Sequence, residues 1–236
     1  MRNKAIIWDY DGTLVDTRAK NFNVTKKIMR RLTGKSSEKY PALQSLVQYV
    51  RAARGAENWR ALYRNEFGMT ESEIDQAGAL WTEYQLDDHS EIALFDGIEE
   101  AIQSLSGYPN FIFSQNSRTN ISRELEGKGL LRCFIDIVGY EEVASAHQKP
   151  APDGLLACIN KMEPHVRELV FFIGDHETDT LCGHNTNVEL AGRNSTTRII
   201  NVAALYGSED GTARWSIQPD HTVSHPRAIA DYIKNY

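Results

Sequence analysis

Asp9 and Asp11 stand two residues apart at the end of a short apolar run, Ala5-Ile6-Ile7-Trp8, and a Gly12-Thr13 turn follows them. Side chains two apart on a strand point to the same side. The two carboxylates therefore converge while Tyr10 points away. Paired carboxylates repel unless a cation or a shared proton intervenes, and Mg²⁺ is the hard cation that prefers oxygen ligands. Three further polar groups follow apolar runs. Phe111-Ile112-Phe113 leads into Ser114-Gln115-Asn116, and Phe171-Phe172-Ile173 leads into Gly174-Asp175 with Asp179 beyond. Lys149-Pro150 follows another candidate strand. Carboxylates, a hydroxyl, amides and one ammonium around one crevice suit phosphoryl transfer. One carboxylate can attack phosphorus, and a second can protonate the leaving oxygen and then activate water. A cation and the lysine can neutralise the charge on the moving group, and a hydroxyl and backbone N–H groups can hold the phosphate oxygens.

The elements that position these groups are legible as patterns. Strands are expected at 4–8, 110–114, 134–138, 169–174 and 197–202, with a weaker one at 220–223. Helices are expected at 98–106, 117–127, 153–162, 176–191 and 226–234. This alternation predicts an α/β fold, a parallel sheet with helices on both faces, and such sheets bind ligands beyond the carboxyl ends of their strands. Residues 17–90 break the rhythm. Ile28, Met29 and Leu32, then Leu43, Leu46, Val47 and Val50, recur at helical spacing. About four helices are expected there, with Asp16 or Thr17 capping the first. The expected division is a Rossmann-like core of residues 1–15 and 95–236, with an inserted all-helical domain of residues 16–94.

Composition sets the frame. The 236 residues are 41% hydrophobic and 25% charged, as in globular proteins, and carry a net charge of −6. No apolar stretch approaches the roughly 20 residues that span a bilayer, and the start of the chain has no signal-peptide pattern. Cys133, Cys158 and Cys182 are odd in number and widely spaced, which argues for a reducing cytoplasm. The negative balance argues against nucleic acid as a partner. No membrane partner is expected, and a monomer or a homodimer is. Residues 16–64 carry twelve Lys or Arg against three acids, whereas residues 65–94 carry eight acids and no Lys or Arg. Either two helical segments attract each other, or the basic half faces an anionic substrate through Lys20, Asn21, Arg51, Arg54, Arg60 or Arg64. His176, beside Asp175, is read as a residue near a helix start, and His147 as a loop residue. Cys182-Gly183-His184 lacks the second half of a metal site, and residues 206–217 read as a loop.

Residues 9–17, Asp-Tyr-Asp-Gly-Thr-Leu-Val-Asp-Thr, resemble the first motif of the haloacid dehalogenase superfamily of phosphatases. The later motifs fall in order on Ser114, Lys149, and Gly174-Asp175 with Asp179. The resemblance implies that Asp9 is the nucleophile and Asp11 the general acid/base. It makes Ser114 and Lys149 phosphate ligands, with Gln115 and Gly12 contributing. It also makes Asp9, Asp175 and the Asp11 backbone carbonyl the Mg²⁺ ligands, with Asp179, Thr13 and Asn116 in support. A helical insertion after the first motif is similar to the subgroup with a helical cap, which includes phosphoglycolate phosphatase-like and β-phosphoglucomutase-like enzymes. The substrate implied is a small phosphorylated metabolite. A phosphomutase, a silent phosphate-binding regulatory protein and a receiver-like domain are the alternatives, the last disfavoured by the long insertion. Tyr10 stands where the family commonly has Phe, and Gln115-Asn116 is an unusual sequel to Ser114.

Overall fold

The computed structural model describes residues 3–207 and 211–236. In chain order the elements are β1 (Lys4–Trp8), β2 (Val15–Asp16), α1 (Arg18–Thr33), α2 (Leu46–Gly55), α3 (Trp59–Phe67), α4 (Glu71–Asp87), β3 (Ala93–Leu94) and α5 (Ile98–Ser104). They continue as β4 (Asn110–Phe113), α6 (Arg118–Gly127), β5 (Asp136–Val138), α7 (Asp153–Asn160), β6 (Leu169–Gly174), α8 (Glu177–Gly192), β7 (Arg198–Ala204), β8 (His221–Val223) and α9 (Pro226–Asn235). The chain divides into two compact units, Met1–Asp16 with Ala93–Tyr236, and Thr17–Ile92.

The first unit is an α/β domain around a six-stranded parallel sheet of order β5-β4-β1-β6-β7-β8. β1 lies between β4 and β6, where the strand order reverses, and that reversal opens the crevice in which such sheets bind ligands. Every residue of β1 and β4 is buried, as near-continuous apolar strands covered on both faces must be. Ile7, Phe111, Phe113, Leu155, Phe172 and Ile199 share one core cluster. Burying each large apolar side chain contributes about 1.5–3 kcal/mol. Two buried polar groups inside it find partners: Trp8 Nε1 donates to Asn110 Oδ1 at 2.8 Å, and Lys4 Nζ donates to the Ile233 carbonyl at 2.7 Å. Two differences from the sequence reading concern ends. β5 starts at Asp136 rather than 134, because Phe134 closes a tight turn on Leu131. β2 and β3 form a two-residue antiparallel ribbon where the chain leaves and re-enters this unit, too short to show a period of two.

The second unit is helical. Val24, Ile28, Met29, Leu43, Tyr63, Phe67, Ile74 and Ala77 form its buried cluster. Ser45 and Asn58 cap α2 and α3, and Thr70 with Glu73 forms a capping box on α4. Thr17 sits at the α1 N-cap position, but its side chain makes no cap bond. It accepts instead from Asn21 Nδ2 at 3.2 Å. The uneven charge is spent inside the unit. Lys27 pairs with Asp88 at 3.3 Å, Arg60 with Glu71 and Asp75 at 2.8 Å each, and Arg64 with Glu71 at 2.5 Å. Mutual attraction of the helices is thus realised, and Arg60 and Arg64, candidate substrate readers by type, are engaged by acids of their own unit.

Candidate active site

The parallel strands deliver the site residues to one end of the sheet. Asp9 follows β1, and its N–H donates to the Ile173 carbonyl of β6 at 2.8 Å. Ser114 follows β4, and its N–H donates to the Val138 carbonyl at 3.0 Å. Asp175 follows β6, and Asp179 lies in the first turn of α8.

Lys149 joins these positions. Its Nζ lies over the Phe113 and Phe172 rings, at 4.7 and 5.2 Å from their centroids. The ammonium meets Asp9 Oδ1 at 2.6 Å and Asp179 Oδ1 at 2.8 Å. All three groups are buried. Burial pushes the Asp9 carboxyl up to about 7, and Asp179 and Asp11 add to the rise against the opposing pull of Lys149. The flanking carboxylates hold the Lys149 ammonium above the usual lysine range although burial acts the other way. The Lys149 ammonium is thus shared by two buried carboxylates.

Asp9, Asp175 and Asp179 each offer an oxygen, and these oxygens lie within 4.8 Å of one another. Among the described residues this is the group of side chains that could hold a metal ion. An all-oxygen, net-negative donor set fits a hard divalent cation. Two glycines make the approach possible. A Cβ on Gly12 would lie 2.2 Å from Asp175 Oδ2, and the φ of +82° there suits glycine. A Cβ on Gly174 would lie 2.4 Å from Asp179 Cγ. The Gly12 N–H donates to the Val15 carbonyl at 2.9 Å, and its missing side chain leaves room for Asp175.

Asp11 points to other partners. Asn116 Nδ2 donates to its Oδ2 at 3.0 Å and its Oδ1 at 3.3 Å. Ser114 Oγ accepts from the Asn116 N–H at 3.1 Å, which leaves the hydroxyl proton to donate outward. Gln115 lies half-buried between them. Thr13 Oγ1 is buried with no hydrogen-bond partner among the described residues.

Other polar residues singled out in the sequence make the following contacts. His176 accepts at Nδ1 from the Thr178 N–H at 3.2 Å and caps α8, while its own N–H donates to Asp179 Oδ2 at 3.1 Å. His147 is exposed and meets Asp153 at 2.9 Å. The Cys182 thiol is buried, donates to the Ala151 carbonyl at 3.0 Å and is driven upward by that burial. Tyr10 is buried and donates to Glu124 Oε2 at 2.6 Å. This gives the phenol a partner where the family has Phe.

Tyr206 was missed. Its hydroxyl donates to the Thr13 carbonyl at 2.5 Å, and its ring meets Phe95 edge-on at 5.1 Å. Burial raises this phenol well above the usual range, followed by the Asp175 and Asp9 charges. The stretch 206–217 read as a loop. Residues 208–210 lie outside the described residues, and the rest has neither helix nor strand. A Tyr-Gly after an apolar strand is the signal that was available.

Known proteins resemble this chain in sequence and in fold. Residues 6–192 match the family model described as haloacid dehalogenase-like hydrolase. The chain belongs to that family and is a hydrolase of α/β fold. It is 23% identical over 236 residues to pyrophosphatase PpaX of Oceanobacillus iheyensis, covering 99% of this chain and 98% of the relative. A solved structure described as a predicted phosphatase from Clostridium acetobutylicum superposes with a TM-score of 0.74 at 16% identity, covering 100% of both chains. A predicted phosphoglycolate phosphatase from Haemophilus somnus gives 0.72 at 17% identity, covering 99% of each. At these identities the structural likeness establishes the fold. Among the described residues no helix is long and apolar enough to cross a membrane.

Proposed function

We propose that the chain is a Mg²⁺-dependent phosphomonoesterase that hydrolyses a small phosphorylated metabolite in the cytoplasm through an aspartyl-phosphate on Asp9. The observation that carries this reading is the Lys149 ammonium held between Asp9 and Asp179 at 2.6 and 2.8 Å, beside Asp175. Asp9 attacks phosphorus, and the bond to the leaving oxygen breaks. Asp11 gives its proton to that oxygen, then takes one from the water that releases phosphate. Ser114 Oγ and Lys149 hold the phosphate oxygens, and Gln115 lies beside them. Asp9, Asp175 and the Asp11 carbonyl would hold Mg²⁺, with Asp179 in support, and the bound cation supplies charge neutralisation of the transferring group. Thr13 would lend its orphaned hydroxyl to this oxygen-rich ligand set.

The helical unit, inserted between β2 and β3, serves as a cap. Its closing excludes water and strengthens charge interactions at the reacting centre. Lys20, Asn21, Arg51 and Arg54 are its candidates for meeting the substrate. Neither nucleic acid nor a membrane is a partner in this reading, and the protein works as a monomer or homodimer.

The test is hydrolysis of p-nitrophenyl phosphate with Mg²⁺, with EDTA, and by Asp9→Asn. Metal-dependent release that the substitution abolishes is the expected result, and no release from folded protein overturns the reading. The names of the relatives make pyrophosphate and phosphoglycolate the first natural substrates to try. A requirement for a bisphosphate activator would indicate a phosphomutase instead.

A further inference from the structure

The side chain of Asn116 has every polar atom committed. Its Nδ2 donates to both Asp11 oxygens, at 3.0 and 3.3 Å. Its Oδ1 accepts from the Ser117 N–H at 2.7 Å and from Asn120 Nδ2 at 3.3 Å. A backbone N–H can only donate, so the atom facing it is the oxygen, and the amide group must face Asp11. Asn116 and Asn120 are buried. Asn120 is fixed in turn by the start of α6, where its N–H donates to Ser117 Oγ at 3.0 Å. Asn116 also donates its own backbone N–H to Ser114 Oγ. One rigid loop thus reaches both the hydroxyl expected to grip phosphate and the carboxyl expected to serve the leaving oxygen.

We infer that Asn116 is the positioning residue that sets how Asp11 delivers its proton to the leaving group. This rests on the phosphatase reading above. An amide N–H cannot accept a proton, so Asn116 restricts rotation of the Asp11 carboxyl and turns its acidic hydrogen away from itself, toward the leaving oxygen. As the P–O bond breaks, its electron pair goes to that oxygen, which takes the Asp11 proton while the Asp9–phosphorus bond forms. Without Asn116 the carboxyl is still present but samples orientations from which transfer fails. The burden falls on leaving groups that need protonation.

The experiment measures kcat/KM for p-nitrophenyl phosphate, phenyl phosphate and glycerol phosphate in the wild type, Asn116→Ala, Asp11→Asn and the double variant. General acid catalysis is worth about 10²–10⁴-fold, and p-nitrophenoxide needs it least. Asn116→Ala is expected to lose at least tenfold more on glycerol phosphate than on p-nitrophenyl phosphate. Asp11→Asn should show the same steepened dependence, and the double variant little beyond it. If Asn116→Ala does not fold, Asn120→Ala is read in its place, since it removes the support of the amide together with one contact from Arg123 Nη2 at 3.3 Å, and puts a good helix former in α6. Losses by one common factor across the three substrates, or no loss, overturn the inference and leave the phosphatase reading standing. No hydrolysis of any of them by the wild type with Mg²⁺ overturns both.

Discussion

Lys149 Nζ meets Asp9 Oδ1 at 2.6 Å, closing a contact between residues 140 apart in the chain. The same ammonium serves Asp179, so one positive charge answers at least two buried carboxylates. That sharing of one ammonium sets several behaviours that can be measured.

Replacing Lys149 by Met keeps a flexible unbranched side chain but removes the charge. Asp9 and Asp179 then face each other in a buried setting. Breaking a buried ion pair by removing one partner typically costs about 3–5 kcal/mol. Lys149→Met is expected to lower stability toward urea by that order and to reduce kcat by about 10²–10³-fold. A variant as stable and active as the wild type would show that the ammonium balances neither acid.

Asp9 has a carboxyl raised to about 7 from 3.8, chiefly by burial. Without metal, the folded state keeps this proton across pH values at which the unfolded state has lost it. Unfolding releases a proton in that window, so stability falls as pH rises from about 4 to 7. Asp9→Asn is expected to flatten that slope in thermal melts run in EDTA. Protons compete with a cation for Asp9, so Mg²⁺ binding by calorimetry should strengthen from pH 5.5 to pH 8 with proton release. Binding that is independent of pH would remove Asp9 from the cation site.

The sequence showed those parts of the fold that are written as periods or runs. Phe111-Ile112-Phe113 and Val170-Phe171-Phe172-Ile173 read as strands covered on both faces, and both lie in the sheet. Ile28, Met29 and Leu43 marked the helical insertion, and all three are in its core. The positions of Asp9, Ser114 and Asp175 at strand ends followed from the alternation alone. What stayed hidden depends on distant partners. Arg60 and Arg64 were open surface cations by type, and only folding shows them spent on Glu71. Gly12 looked like a turn residue, whereas its lack of a Cβ makes space for Asp175, 163 positions later in the sequence. The resemblance places Asn116 in support of the metal site, but the contact of Asn116 with the Asp11 side chain was not legible, and Tyr206 carries no spacing signal because it meets a carbonyl from a separate strand end.

Gly12→Ala follows from that crowding. The new Cβ would sit 2.2 Å from Asp175 Oδ2 in a left-handed backbone. Non-glycine residues there cost of order 1 kcal/mol, and Asp175 must also move. The variant is expected to fold with lowered stability and to lose Mg²⁺ affinity at least tenfold by calorimetry. Unchanged affinity would mean that Asp175 takes no part in holding the cation.

Tyr206→Phe isolates a single hydroxyl. The ring keeps its edge-on contact with Phe95, and only the bond to the Thr13 carbonyl is lost. An abandoned buried acceptor costs about 1–3 kcal/mol, read as an earlier urea midpoint. Thr13 lies two residues after Asp11 in the tight turn, in which Leu14 and Val15 donate back to the Tyr10 carbonyl. Loosening that turn disturbs Asp9, Asp11 and the approach of Asp175 together, rather than the Asp11 proton alone. Hydrolysis should therefore fall by a similar factor, about fivefold where about 1 kcal/mol of the loss reaches the transition state, on p-nitrophenyl, phenyl and glycerol phosphates alike. This contrasts with the leaving-group dependence expected of Asn116→Ala. A Tyr206→Phe variant that spares p-nitrophenyl phosphate and fails on glycerol phosphate would place the phenol in the proton path of Asp11 and refute its reading as an anchor for the turn.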